Sequence, residues 1–472
     1  MTFRFLTLIP ALFAAGCASF SPAPVIVPVE PPAQWSDVAD AGQSVDRQWW
    51  QSFDDPQLNR LIDKALDANP NLAAAAQSVL QADLQLRSAG AALLPSVGAS
   101  ANTGKQTSWA PNQDRVTSGS TSVGLTVDYE LDLWGRLSAA EGAALASFQA
   151  TEFDYQAARI TLIASVASTW FEWLELQLRV DVARKNLELG EQTLTLVDAR
   201  YRNGAASRAE LARQQTSVLN LRSAVPPLEY QARQRLAALR VLTGEYPFVG
   251  DQPVADISQA TVPTINPETP ADLVTRRPDL AAHEARLLAA SADIEQARSA
   301  LLPSVSLSAA ARLSADGFLS LADPVRSVNG LLGLSQMVFD GGQRSNAIAV
   351  SESRRVALLE GYRGSLLTAF QEVGDALDRV MLYEAQEQRL REILIKAEET
   401  LRLTDVRYRE GADELSVLLE SQRSVFDVRQ QLSQVRLNRL IAAVDLYRSL
   451  GGGWQRDDSR PSASATTVPA AG

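Results

Sequence analysis

The chain has 472 residues and a formal net charge of −11 from 44 basic and 55 acidic side chains, a balance that argues against a nucleic-acid surface, which needs clustered Lys and Arg. With one His (His283) and one Cys (Cys17), an internal disulfide and a His/Cys metal cage are both impossible. Hydrophobic residues at 46% and charged ones at 21% describe a folded chain, and most His- or Cys-based catalysis is removed at the outset.

In chain order, residues 1–16 read as an address. Arg4 starts "MTFRFLTLIPALFAAGC", an apolar run follows, and small residues precede Cys17. The run is too short to span a membrane as a helix. "AAGC" looks like a lipoprotein signal, which makes Cys17 the lipidated first residue of the mature chain. Ala18 after it points to an outer-membrane destination. Residues 17–48, with "SPAPVIVPVEPPAQ", read as an extended Pro-rich tether, and 455–472 as a small, polar, disordered tail.

Between them one unit is written twice. "LLPSVGAS" at Leu93 returns as "LLPSVSLS" at Leu301, 208 positions later. "DLWGR" (132–136) falls opposite "DGGQR" (340–344), and "DARYRNGA" (198–205) opposite "DVRYREGA" (405–412), where the offset has dropped to 207. The first repeat is assigned to 49–250, a linker to 251–276, and the second repeat to 277–454. Each copy reads helix, strand, strand, long helix, tip, helix.

Strands are expected at about 95–105, 118–133, 303–314 and 327–340. From Val123, the odd positions Val123, Leu125, Val127, Tyr129 and Leu131 are apolar. The even positions Ser122, Thr126, Asp128, Glu130 and Asp132 are polar, with Gly124 among them. Runs of about ten residues suit tilted strands crossing a bilayer. Four such strands cannot close a barrel alone, and open edges in lipid leave backbone groups unpaired. Either they pack on a soluble core, or several chains pool them. From Gly135 to Tyr201, and again from Gly342 to Glu410, no proline occurs, which allows roughly 100 Å of helix each. Leu390, Leu394, Ala397, Leu401, Thr404 and Tyr408 step 4-3-4-3-4, a coiled-coil seam. Tips are expected at about 201–211 and 408–420. The pair Pro226-Pro227 should kink or break the helix after the first tip, so the two copies should bend differently.

Taken together, "WWQSFDDPQLNRLIDKALDANPNL" (49–72), the paired "LLPSV", "YELDLWGRL" (129–137), "VFDGGQR" (338–344) and the two "YRxGA" tips resemble the outer-membrane efflux protein (TolC-like) family, in its lipoprotein nodulation-type branch. The resemblance runs from about Trp49 to Gly453. It implies a fold that is mainly α with membrane β: a long α-helical coiled-coil barrel, and four strands per protomer of a trimeric twelve-stranded β-barrel. It implies a homotrimer in the outer membrane, lipid-anchored, with a large periplasmic portion. Its partners would be a periplasmic adaptor (membrane fusion) protein and an inner-membrane transporter of the resistance–nodulation–division type. The function implied is that of a passive exit channel, not an enzyme, and no cofactor or metal is called for.

Site residues follow from the same resemblance. Glu420, Tyr408 and Glu210 stand where the family places its gate and selectivity ring, and Gly204 and Gly411 where it places the tip turns and adaptor contacts. Asp128, Glu130 and Asp132 would line the barrel lumen. Other readings stay open: Glu210 and Glu420 as solvated helix-face acids, Tyr408 as a seam residue. Asp413 departs from members that carry a basic residue there and bond it to another helix. A duct for a protein or peptide exporter is an alternative, and a periplasmic coiled-coil scaffold, with its strands on a soluble core, is a rival.

Overall fold

The computed structural model describes residues 45–109, 111, 114–247, 257, 260–264 and 275–456. Cys17, the signal segment, most of the tether and nearly all of the C-terminal tail lie outside them. A 3₁₀ turn at Trp49–Phe53 opens the fold. It is followed by α1 (Pro56–Ala68), α2 (Pro70–Ala91), β1 (Ser96–Ser108), β2 (Val116–Leu131), α3 (Arg136–Arg202) and α4 (Arg208–Leu242). The second copy supplies α5 (Pro278–Ser299), β3 (Ser304–Asp316), β4 (Val325–Ser335), α6 (Gln343–Arg409) and α7 (Leu415–Ser449). The repeat is visible in the lengths: α3 and α6 each have 67 residues, and α4 and α7 each have 35.

Two compact units result among the described residues, one within 77–152 and 282–364, the other within 45–76, 153–281 and 365–456. In the first, four antiparallel strands form one sheet in the order β1-β2-β3-β4. Register sets Val97 against Val127, Val127 against Ala309, and Ala311 against Val328. Strand residues alternate faces, so Val97, Val123, Leu125, Val127, Leu307, Leu332 and Leu334 share one face. All seven are exposed in the protomer. The opposite face carries Ser100, Asn102, Ser122, Thr126, Asp128, Ser306, Ser308 and Asn329. Beneath the sheet, small residues let α3 and α5 approach closely: Ala139, Ala143, Ala146 and Ala150 of α3 are buried, and Gly142 faces Ala292.

β4 ends at Ser335, short of the expected 340. The chain turns there because Asp340 accepts from the Gly342 and Arg344 N–H groups, while the Arg344 guanidinium donates to the Met337 and Ala300 carbonyls. This network bends the segment away from the ladder and leaves Met337, Val338 and Phe339 exposed.

The second unit holds an aromatic core. Trp49 stacks on Tyr447 with centroids 4.8 Å apart, and Phe53 lies 5.2 Å from Phe171. Asp55 caps α1 through the Gln57 and Leu58 N–H groups and takes a 2.7 Å bond from the Trp170 indole. The seam read from sequence is visible: Leu390, Leu394, Ala397 and Leu401 are half-buried, and Thr404 and Tyr408 are buried. Contrary to a break at Pro226-Pro227, α4 is helical throughout, with the same length as α7, which carries Ser433-Gln434 at the matching positions. Proline removes one N–H donor, yet Val225 and Leu228 on either side are buried against Val180 and Ala183, and this packing holds the segment helical.

Candidate channel tips and sheet

The tips come first. Tight turns join α3 to α4 and α6 to α7, and Gly204 and Gly411 sit at their crests with φ of 75° and 79°. A side chain would strain the backbone in that region, so glycine is what lets two antiparallel helices meet in so few residues. Tyr408 does not stand free. Its side chain packs with Val197, Leu415 and Leu418, bordered by Leu211 and Leu401. Arg200 of α3 lies over the Tyr408 ring, its guanidinium carbon 4.7 Å from the centroid, and donates a 3.1 Å bond to the Tyr408 carbonyl. One cation thus ties the end of the first long helix to the end of the second. Tyr201, the counterpart of Tyr408 in the first copy, is exposed.

Glu210 has a local task. Ser207 caps α4 by accepting from the Glu210 N–H, and the Glu210 carboxylate accepts from the Ser207 N–H at 2.7 Å, which completes a capping box. The bond from the Ser207 backbone, joined by that from its side chain, holds the Glu210 carboxyl below the usual range. The spacing Ser-x-x-Glu is a sequence signal for this arrangement. The second tip is built differently. Glu414 at the cap position of α7 bonds no helix N–H with its side chain, and Arg407 instead grips Asp413 through two bonds of 2.8 and 2.9 Å. The hydrogen bond from Arg407 depresses the Asp413 carboxyl. Asp413 is therefore engaged within its own tip. Glu420, one turn into α7, is exposed and makes no hydrogen bond or ion pair among the described residues. No signal in the sequence singles out Arg200, whose role depends on Tyr408, 208 positions away.

Between α6 and α7 the second unit also carries a charged knot. Glu387, almost wholly buried, accepts from Arg391, Arg436 and Arg439 at 2.5, 3.1 and 2.9 Å. Burial alone would raise its carboxyl, but the bond from Arg439 and the charges of Arg436 and Arg391 outweigh it and bring the carboxyl below its ordinary value. Arg436 also donates to the Ala260 carbonyl and so fastens the segment that links the repeats.

In the sheet, Asp128 lies on the polar face among Ser and Thr. Glu130, also on that face, holds Arg136 through a fork of bonds at 2.8 and 2.9 Å. Asp132 falls beyond the end of β2, where its carboxylate accepts from the Leu137 and Ser138 N–H groups and the Ser138 hydroxyl, capping α3. Of the three, Asp128 alone has no side-chain bond among the described residues. His283 stacks on Tyr362 at 6.3 Å, whose hydroxyl donates to Glu284. Among the described residues no cluster of His, Cys, Asp or Glu could hold a metal ion, and no helix is long and apolar enough to cross a membrane.

Residues 61–245 and 269–452 match the family described as outer membrane efflux protein. The pyoverdine export outer membrane protein OpmQ of Pseudomonas aeruginosa is 36% identical, across 97% of this chain and 98% of its own. Outer membrane protein OprJ of the same organism is 34% identical over 90% of this chain and 91% of its own. Among solved structures, the outer-membrane channel OprN superposes with a TM-score of 0.81 at 27% identity, across 92% of this chain and all of the other.

Proposed function

The chain belongs to the outer membrane efflux protein family, and from that premise we propose that it is the passive exit duct of a tripartite efflux system whose cargo is a small molecule. One observation carries the reading. The sheet has an exposed apolar face and a polar one, and its outer strands β1 and β4 each pair on one side only. In hydrocarbon an unpaired strand edge is untenable. Pairing β4 of one protomer with β1 of the next satisfies both edges, and three copies give a closed twelve-stranded barrel. Its outside is then Val123, Leu125, Val127 and their neighbours, and its inside the Ser, Thr and Asp face, which stays wet. A scaffold with its strands on a soluble core would not leave those valines and leucines open.

The helices form the periplasmic portion of the duct, and its gate lies at their tips. There Glu420 supplies a threefold acidic ring that favours cations, and the Arg200–Tyr408 tie holds each pair of tips together. Glu210 acts as a helix cap. Gly204 and Gly411 mark the turns on which a periplasmic adaptor docks, and the adaptor links the duct to a resistance–nodulation–division transporter that supplies the energy. No catalytic role is assigned to any residue. Cys17 is the lipid anchor. The kinship with OpmQ over nearly the whole chain favours a small-molecule cargo over an exported protein. The purified protein in detergent should run at three times its monomer mass and conduct ions in a planar bilayer. A monomeric, non-conducting species would defeat the reading.

A further inference from the structure

From the path of the β3–β4 loop we infer that Phe318, Leu319 and Leu321 are a membrane-seating surface, folded back over the outside of the barrel to meet the acyl chains of the outer leaflet. This rests on the barrel reading above. Three independent observations fix the side on which the loop lies. Thr103 and Thr121 are register partners whose hydroxyls meet at 3.0 Å, and both sit at odd positions, on the face of Ala101 and Val123. The loop bonds to these two hydroxyls: the Leu319 N–H donates to Thr103 at 3.1 Å, the Ser320 N–H donates to Thr121, and the Thr121 hydroxyl donates to the Gly317 carbonyl. Gly119, also odd, lies directly under the crossing, where a Cβ would come within 2.5 Å of the Phe318 nitrogen. Ala315, on the same face, is covered to 6% exposure although Leu313 and Val123 next to it on that face are exposed.

The loop is held there at a cost. Leu319 and Asp323 adopt φ of 55° and 49°, a region bulky side chains avoid. What the arrangement achieves is bulky apolar surface at a height where β1 and β2 have none. On the outward face β2 is apolar from Leu131 to Val123 and then reads Thr121, Gly119, Thr117, while β1 reads Thr103, Lys105, Thr107. Nine strand residues inclined at roughly 40° span about 20 Å of height. The apolar band of an outer-membrane barrel is about 25 Å tall. Phe318, Leu319 and Leu321, all exposed, lie where the strands turn polar and continue the band. A loop that closed the lumen would cross the even face instead.

The test is spin labelling of the full-length trimer, carrying Cys17→Ala, in phosphatidylcholine–phosphatidylglycerol vesicles. Single cysteines are placed at Leu319, at Leu125 in the band, and at Thr126 facing the lumen. Collision rates are read with oxygen, which partitions into lipid, and with a water-soluble nickel chelate. The expected oxygen-to-nickel ratio at Leu319 is several-fold above that at Thr126 and close to that at Leu125. Adding Gly119→Val should displace the loop and drop the ratio at Leu319 toward the Thr126 value, with Leu125 unchanged. Nickel access at Leu319 equal to Thr126, or shielding from both reagents, would overturn the assignment while Leu125 remains lipid-exposed. Nickel access at Leu125 itself would instead bring down the barrel.

Discussion

Arg200 offers the sharpest perturbation. Its guanidinium makes a 3.1 Å bond to the Tyr408 carbonyl and lies 4.7 Å from the ring centroid. Hydrogen bonds to charged groups contribute about 1.5–3 kcal/mol, and a cation over an aromatic ring at a partly exposed site about 0.5–1 kcal/mol. Arg200 is half-exposed, so the lower ends apply, and Arg200→Ala should release each tip pair by about 2 kcal/mol. That is roughly a 30-fold shift toward the parted arrangement per protomer, compounded if three protomers move together. Planar-bilayer recording of the purified trimer should show a larger open probability or unitary conductance. Arg200→Lys keeps the charge but not the planar stack, and should fall between. Tyr408→Phe keeps ring and carbonyl, and should behave as the parent chain because the hydroxyl makes no hydrogen bond among the described residues. Conductance unchanged in Arg200→Ala, or altered as much by Tyr408→Phe, would refute the tie.

Three further outcomes follow from the same geometry. Glu420→Ala should weaken cation preference in reversal-potential measurements under a salt gradient, and an unchanged reversal potential would remove the acidic ring. The Asp413 carboxyl is depressed by Arg407, so its contribution to the second tip is complete above its ordinary value of 3.8 and is lost as pH falls through the lower folded value. Conductance should therefore be steady across neutral and mildly acid pH, with any tip loosening from this pair confined to below about pH 4; a transition near pH 6 that Asp413→Asn abolishes would contradict the pairing. Glu387→Gln leaves Arg391, Arg436 and Arg439 facing one another without their shared anion, and breaking a buried pair in this way costs about 3–5 kcal/mol. Thermal unfolding followed by circular dichroism should show a clear drop in midpoint, whereas Glu420→Gln should leave it in place.

Much of the fold is legible in the residues because its elements obey long, unbroken periods. The alternation from Val123 to Leu131 needs only the pleat to become a two-faced strand, and the proline-free runs before each "YRxGA" need only backbone propensity to become long helices. What escaped that reading depends on partners distant in sequence. The end of β4 at Ser335 is decided by Arg344 reaching back to carbonyls on two other segments. Pro226-Pro227 stays helical because neighbours bury both flanks, a tertiary override of a local rule. Of the candidate site, the glycine turns follow from residue type, and the capping box of Ser207 and Glu210 is written in a four-residue spacing that a search for lumen acids passes over. Asp132 shares the even positions of the lumen acids, yet the start of α3 claims its carboxylate. Arg200 has no local mark at all.

The aromatic weld of the second unit has a consequence for how the protein is made. Trp49 stacks on Tyr447, the Phe53 carbonyl accepts from Thr261, and Gly452 and Gly453 press against Trp49 and Asp46. Trp49 and Phe53 are thus seated by residues that leave the export machinery about 400 positions after them. The long helices can form as they emerge, but this core cannot close until α7 and the glycines after it have been translocated. Each incoming polypeptide must wait, with Trp49, Trp50 and Phe53 uncovered, for its own C-terminal helix to arrive. Periplasmic chaperones have that interval in which to act, and a deletion of only the last turn of α7 and the glycines after it should leave the N-terminal aromatics open to proteolysis.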